Sequence, residues 1–496
     1  MKLHEIFDKS FLRKYNLSYY DKNDFLSITK SFEDANKHTL CFCLTNSREK
    51  SEILCEKMRK NGAKLIFSNF DISKVEVIRV ENLREVFSLS CKKFYNSCCD
   101  KMKMIAVSGT NGKTTTTHLI AKILSKNGVN VGIVGTSGVF YNGQVFDCPL
   151  TTPDADFLHK TFYEMRSAGV QCVVMEVSAH AIAQKRVDGI LFDVGVLTNI
   201  TQDHLDYFET MENYEKTKLS FFTKEHIKNC VVCVDDERAK KVLDFVDVPT
   251  VTYGLKNPAD TFAIDVCCSL CGTHFVANVC DEVLKTKNKL VGEYNVYNTL
   301  ASLSVCKILG LDGEKLRLGA ENLQPIEGRF NVIPVGDKYA IVDYAHSPDG
   351  LYSILNAVKS LATGKVFVVF GCGGNRDKGK RSQMGEIAEK YADVVCLTDD
   401  NPRWENSMDI ISDIEKGMKK GHFVEPNRSF AIKSMLGKAC VGDIVVIAGK
   451  GAEKYQETRG EKKYFSDFDV VYDFCKKDCR EKVQKNEVIK DLKYGY

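Results

Sequence analysis

Within one short run, Gly109-Thr110-Asn111-Gly112-Lys113-Thr114-Thr115, the chain places two glycines, a lysine and three hydroxyls. Glycines let backbone N–H groups turn toward an anion. Lys113 offers a full charge to outer phosphates, and the Thr114 hydroxyl can ligate Mg²⁺. The run follows the apolar Met104-Ile105-Ala106-Val107. It opens the segment Thr116 to Asn127, where Leu119, Ile120, Ile123 and Leu124 recur at helical spacing. Strand, glycine loop and helix together predict a phosphate-binding loop, with the helix N-terminus adding partial positive charge. Val107 stands where the common G-x-x-x-x-G-K-[ST] pattern has its first glycine. The plainer reading is a glycine turn before an ordinary helix.

Two further polar clusters follow apolar runs. Glu176 lies near the end of Cys172–Val177 and precedes Ser178-Ala179-His180, and the block from Thr198 to Asp206 contains His204. Ligands of open α/β sheets sit at the carboxyl ends of strands. There a carboxylate suits Mg²⁺, whereas an imidazole suits a second, softer site. The plainer readings are a helix N-terminal carboxylate for Glu176 and a satisfied structural histidine for His204. Cys267, Cys268 and Cys271 have no matching Cys or His pair at ligand spacing, which argues against a zinc site.

The elements that must position these groups repeat a βα rhythm. Leu40–Leu44 and Lys64–Phe67 read as strands flanking a helix from about Lys50 to Lys60. Cys172–Val177, Val194–Thr198 and Cys230–Val234 read as buried parallel strands. A second series holds Ala340–Asp343, Lys365–Phe370, Val394–Leu397 and Asp443–Ile447, after a linker near Gln324–Gly328. The expectation is an α/β protein of three domains: a smaller N-terminal α/β domain over 1–100, a central P-loop-type parallel sheet domain over 101–327, and a Rossmann-like α/β domain over 328–475. A charged tail, 476–496, follows. With 496 residues, 44% hydrophobic and 27% charged, the composition is that of a soluble globular protein. A net charge of +3 gives no sign of a nucleic-acid or membrane surface. No apolar run is long enough to span a bilayer, and the start lacks a signal-peptide core. The 20 scattered cysteines fit reduced thiols in a cytoplasm.

The ordered blocks GTNGKTTT (109–116), TTP (151–153), MEVSAHA (175–181), TNITQDHLDY (198–207), GEYNVYN (292–298), EGRF (327–330), DYAHSPD (343–349), GCGGNRDKGKR (371–381), DNPR (400–403) and GKGAE (449–453) carry a resemblance. Over residues 100 to 472 the chain resembles the Mur ligases, ATP-dependent amide-forming enzymes of peptidoglycan synthesis. Within that family, DNPR points to the branch that adds meso-diaminopimelate to UDP-N-acetylmuramoyl-L-alanyl-D-glutamate. The resemblance implies an acyl-phosphate route in the cytoplasm, with ATP as co-substrate, Mg²⁺ as cofactor and a monomeric enzyme.

It implies roles as well. Gly109 to Thr115 would hold phosphates, with Lys113 catalytic. Asn298, Arg329, Asp343 and His346 would surround the nucleotide, while Tyr344 and Asn295 read equally well as structural. Thr114, Glu176, His204 and a carbamylated Lys218 would hold metal; Lys216 is the rival register for Lys218. Thr151, Thr152, Ser178, Gln184 and Arg186 would meet the muropeptide. Arg376, Asp400, Asn401, Pro402, Arg403, Gly449 and Glu453 would meet diaminopimelate, with Arg403 binding the carboxylate that lysine lacks. Two positions depart from the family. Its Asp-Ser-Arg near the N-terminus is represented at best by Lys30-Ser31-Phe32, leaving Ser31 as the uridine contact, and its histidine is Ala452 here. Other readings are a Mur-type ligase for L-lysine or another amino acid, a folylpolyglutamate synthetase-like ligase, and a catalytically silent nucleotide-binding scaffold.

Overall fold

The computed structural model describes residues 1–476; the expected tail lies almost wholly outside the described residues. Three large sheets occupy successive stretches of chain, and a two-stranded antiparallel hairpin, Tyr455–Thr458 with Glu461–Tyr464, follows the last. The first is four-stranded and parallel, in the order Ser27–Thr29, Thr39–Cys43, Leu65–Ser68, Ile78–Arg79. Helices Arg48–Lys60 and Leu83–Phe94 pack on it, the first of them close to the helix expected from about Lys50 to Lys60.

The central sheet has 11 strands. Lys103–Ser108 is at its heart, between Cys172–Glu176 and Val194–Leu197, both parallel to it. The pleat sends alternate side chains to opposite faces. Ile105 and Val107 enter a core with Leu119, Ile123, Leu300 and Leu303, whereas Met104 and Ala106 enter one with Leu158, Phe162 and Met165. Helices Lys113–Lys126 and Glu293–Ile308 cover one face, and Ala155–Ser167 the other. The sheet is not parallel throughout. Thr261–Ser269, Gly272–Val279 and Glu282–Asn288 form an antiparallel meander at one edge, and Gly138–Tyr141 and Gln144–Phe146 continue the other edge as hairpins. These connections are tight turns, too short for the helical crossover that parallel pairing needs.

The third sheet runs Asn331–Val335, Lys338–Asp343, Ile444–Ala448, Val366–Phe370, Val394–Leu397, Phe423–Val424, antiparallel only at the first pair. Its core includes a dry ion pair. Arg428 and Asp467 are both fully buried and meet twice at 2.8 Å, and Arg428 also donates to the Ala448 carbonyl at 2.9 Å. These bonds fix the guanidinium and tie the end of strand Ile444–Ala448, from which Gly449 projects, to the helix beside it.

Candidate active site

The loop after Lys103–Ser108 is shaped by its glycines. Gly109 has φ 139°, and a Cβ there would stand 1.9 Å from the Thr198 hydroxyl; Gly112 has φ 85°, with the Asn298 amide oxygen 2.6 Å from where its Cβ would be. Gly112→Ala is therefore expected to cost about 1–2 kcal/mol from backbone strain alone. Displacement of Asn298 adds to this, so the urea midpoint should fall with the slope unchanged.

Helix Lys113–Lys126 begins one turn earlier than its apolar spacing indicates, because Lys113 and Thr114 belong to its first turn. The Lys113 ammonium folds over the loop and donates to the carbonyls of Gly109 (3.0 Å) and Thr110 (2.8 Å). Burial lowers its pKa, and Glu176 and Asp203 oppose that shift. The Thr114 hydroxyl donates to both Glu176 oxygens at 3.0 and 3.1 Å, and accepts from Arg329 at 3.1 Å. Glu176 also receives the Thr136 amide at 2.8 Å.

Lys218, on helix Met211–Leu219, is buried, donates to the Gly109 carbonyl at 2.7 Å and lies 5.0 Å from the Tyr214 ring centre. Burial, reinforced by the charge of Lys113, holds its pKa well below that of an ordinary lysine. Lys216 is exposed on the same helix. His204 has a left-handed backbone (φ 55°), and its Nε2 is 3.3 Å from Asp203. Burial, with His180 and Lys113, pushes the imidazole down to about 3 despite Asp203, leaving it in the neutral form that ligates metals. Asp203 itself resists burial: the charges of His204, His346, Lys380 and Lys113 hold its carboxyl at about 2.

Among the described residues no three His, Cys, Asp or Glu side chains converge at metal-binding spacing. Thr114 and Glu176 nonetheless fit a hard cation. They are oxygen donors already within hydrogen-bond reach of each other beside the phosphate loop, and Mg²⁺ takes one or two carboxylates while keeping water and phosphate oxygens. Cys267, Cys268 and Cys271 lie on the antiparallel meander, away from this site.

Two cavities meet at the loop. The first, ≈ 270 Å³, is walled by Tyr253, Tyr297 and Asn298 from the central sheet's side and by Arg329, Asp343 and His346 from the third sheet's side. Asn298 accepts from Thr116 at 3.2 Å and donates to Asn295 at 3.0 Å. The Arg329 guanidinium stacks 4.4 Å from the Tyr344 ring centre, so Tyr344 is part of this wall. Burial raises the Asp343 carboxyl despite Arg329 and pushes His346 down to about 4. Asp349 crosses between the sheets to accept from Asn111 at 2.7 Å.

The second cavity, ≈ 300 Å³, joins Lys113, Thr114, Glu176 and His204 to Arg376, Asp400, Asn401, Arg403, Gly449 and Glu453, with Thr151 and Ser178 on its wall. Here Arg376, Asp400, Asn401, Arg403, Gly449 and Glu453 reach the loop only because the third sheet is folded against the central one. Asn401 is fully committed: its oxygen accepts from Lys450 (2.9 Å) and the Glu457 amide (2.9 Å), and its nitrogen donates to Glu453 (3.0 Å). Arg403 has φ 53°, pairs through Nε with Glu457 (3.2 Å) and donates from Nη1 to the Gly374 carbonyl (2.8 Å). Pro402 shapes the turn, its carbonyl packing against Gly374.

Thr152, Gln184 and Arg186 form a linked group beside this cavity. Arg186 donates to the Thr152 carbonyl and to Gln184, both at 2.7 Å, and lies 3.2 Å from Asp154, which also pairs with Lys30. Ser31 bonds Glu33 at 2.7 Å and lines none of the cavities described. A third cavity, ≈ 270 Å³, opens at the carboxyl ends of the N-terminal strands, among Thr45, Asn46, Asn69, Arg84 and Lys185. Sequence reasoning missed Tyr253, Tyr297, Asp349 and Asp203. Tyr297, Asp349 and Asp203 stood inside quoted blocks, so their signal was present; Tyr253 lies in none of them and carried none.

The fold and site define a class: three successive α/β units with a glycine loop opening onto two cavities shared between the second and third. The Mur ligase middle domain matches residues 107–306, and the Mur ligase glutamate ligase domain matches 328–451. UDP-N-acetylmuramoyl-L-alanyl-D-glutamate–2,6-diaminopimelate ligase of Caldanaerobacter subterraneus is 40% identical over 408 residues, covering 81% of this chain and 84% of that protein. The enzyme of the same name from Clostridium tetani is 36% identical over 482 residues, covering 95% and 98%. A solved structure of such a ligase superposes with a TM-score of 0.69 at 29% identity, over 96% of this chain and 99% of that one. Folylpolyglutamate synthase of Mycobacterium tuberculosis shares the fold at a TM-score of 0.61 and 17% identity. This chain belongs to the Mur ligase family, and it is an ATP-dependent ligase.

Proposed function

We propose that the chain joins meso-2,6-diaminopimelate to the D-glutamate γ-carboxylate of UDP-N-acetylmuramoyl-L-alanyl-D-glutamate, driven by ATP. The observation that carries this reading is the second cavity, where phosphate-loop groups share one space with Arg403 and Glu453. The names of the relatives support the same substrates. The first cavity suits a nucleoside: aromatic Tyr253 and Tyr297 can flank the base, and Asn298, Arg329, Asp343 and His346 offer polar contacts. ATP phosphates then lie on the loop, where Lys113 neutralises charge developing on the transferred group. Mg²⁺ held by Thr114 and Glu176, with His204 and a carbamylated Lys218 at a second position, supplies further charge neutralisation when bound.

Thr151 and Ser178 meet the muropeptide at the cavity wall, with Thr152, Gln184 and Arg186 beside them. The third cavity, rather than Ser31, is the place for the uridine end, since Arg84 and Lys185 there suit an anionic ligand. The three sheets correspond to three domains divided near residues 100 and 327. Every group invoked comes from one chain, as a monomer requires. Among the described residues no helix is long and apolar enough to cross a membrane.

Arg403 is the proposed discriminator. Two of its nitrogens are engaged, which orients the guanidinium and leaves Nη2 for a carboxylate. A charge-assisted contact is worth roughly 1.5–3 kcal/mol, about ten- to a hundredfold. Arg403→Ala is expected to lose that factor in kcat/KM for diaminopimelate and to narrow the gap to L-lysine. Phosphate release with the UDP-dipeptide and each amino acid tests this. A wild type that favours lysine overturns the substrate, and an unchanged ratio in the variant overturns the role of Arg403.

A further inference from the structure

Lys380 and Arg381 are neighbours in the first turn of helix Gly379–Tyr391, and both are buried. Their surroundings differ. The Arg381 guanidinium reaches Glu405 and Asp413, each at 3.0 Å, and the Gly373 carbonyl at 3.3 Å. It anchors the helix to two other segments. Lys380 is 8% exposed and, among the described residues, makes no hydrogen bond or ion pair. It lines the ≈ 300 Å³ cavity that contains the phosphate loop.

A buried ammonium without a partner is unfavourable, and a fold keeps one where a ligand supplies the anion. Of the carboxylates that share the cavity, Glu176 is engaged with Thr114 and Thr136, Glu453 with Asn401 and Lys450, and Asp203 with His204. Asp206, Asp377 and Asp400 line it too, and none of these carboxylates pairs with Lys380. Asp203, His346 and Lys113 line the same cavity as Lys380, as do Arg376 and Arg403. Lys378, two residues away, is exposed and paired with Glu405 at 3.3 Å, so of these three neighbouring cations only Lys380 is both buried and uncommitted.

We propose that Lys380 is a catalytic residue of the phosphoryl transfer: carried on the third sheet's side into the cavity that Lys113 also lines, its ammonium holds a non-bridging oxygen of the phosphoryl group between ATP and the muropeptide carboxylate. The inference rests on the acyl-phosphate reaction proposed above. In that step a carboxylate oxygen forms a bond to the γ-phosphorus as the bond from phosphorus to the β,γ-bridging oxygen breaks, and its electron pair leaves on ADP. No proton moves, and Lys380 acts by charge and position. The phosphate loop lies on the central unit, so a cation from the other unit completes the charge around phosphorus only when the two units are together.

The experiment compares the full-length wild type, Lys380→Met, Lys380→Arg and Arg403→Ala. Acyl phosphate formed from ATP and the UDP-dipeptide without any amino acid is trapped with hydroxylamine, and steady-state constants are measured beside it. Lys380→Met is expected to lower both trapped hydroxamate and kcat by roughly 10²- to 10³-fold. Its KM for diaminopimelate and its melting temperature should stay near wild type, and Lys380→Arg should recover part of the rate. Arg403→Ala should show the converse, with normal hydroxamate and impaired use of diaminopimelate. Normal hydroxamate from Lys380→Met overturns the inference, as does a change confined to the KM for diaminopimelate. A wild type that forms hydroxamate but prefers another amino acid overturns the substrate reading and leaves the role of Lys380 standing.

Discussion

Lys113→Ala is expected to abolish ligation while the protein stays folded. The side chain bonds only the carbonyls of its own loop, at Gly109 and Thr110. Its removal opens no apolar cavity, and burial already disfavours its charge. The melting temperature should therefore move little. The activity loss has a different origin: the charge that meets the transferring phosphoryl group is gone, and preorganised electrostatic contacts of this kind are worth about 3 kcal/mol or more in the transition state. The check is ADP formation by purified, folded variant. Turnover within a few-fold of wild type would mean that the loop does not hold the reacting phosphates.

Lys218 should be carbamylated in the active enzyme. Carbamate formation needs a neutral amine: nitrogen bonds to the carbon of CO₂ and a proton leaves, giving an anion. An exposed lysine is almost entirely protonated near neutrality, whereas Lys218 is buried close to Lys113 and its pKa is pulled down for both reasons. The modification also resolves an electrostatic conflict, since it replaces a second cation with an anion able to ligate Mg²⁺. Lys218→Ala should lose roughly a hundredfold or more in activity, at least the effect seen when the support of a metal ligand is removed. Lys216→Ala should be near wild type, its side chain being exposed. A carbamate signal from ¹³C-bicarbonate in wild type, absent from Lys218→Ala, is the direct observation. An active, bicarbonate-equilibrated enzyme without that signal removes the idea, and the reverse ranking of the two variants would move the role to Lys216.

Much of this was legible in the chain because the central strands are buried on both faces and so read as unbroken apolar runs. Cys172–Glu176, Val194–Leu197 and Val366–Phe370 lie within a residue of where composition places them. The meander from Thr261 to Asn288 was not legible. One of its faces is solvated yet displays Phe262, Ile264 and Val283, so its alternation does not read as polar against apolar. At the site, the ordered blocks point to Arg403 and Glu453. The orientation of Arg403 depends on Glu457 and Gly374, and that of Glu453 on Asn401 as well as on the nearby Lys450; the contacts with Glu457, Gly374 and Asn401 arise only through tertiary packing. The same limit separates Lys380 from Arg381: adjacent in sequence and equal in charge, they differ because Glu405 and Asp413 come from elsewhere in the chain to meet one of them.

The first cavity is divided between two folding units, with Asn298 on one wall and Arg329 and Asp343 on the other. A molecule filling it works as a staple, and its measured affinity includes the free energy of bringing the walls together. An inhibitor that reaches only the tyrosine-lined wall forgoes the polar contacts of Arg329, Asp343 and His346 and does not hold the two walls together. One that spans both gains from every substitution that favours closure. Resistance to a spanning inhibitor can therefore arise without any change in the residues it touches, through the Gln324–Gly328 connection or the Asp349–Asn111 contact that bias how often the walls meet.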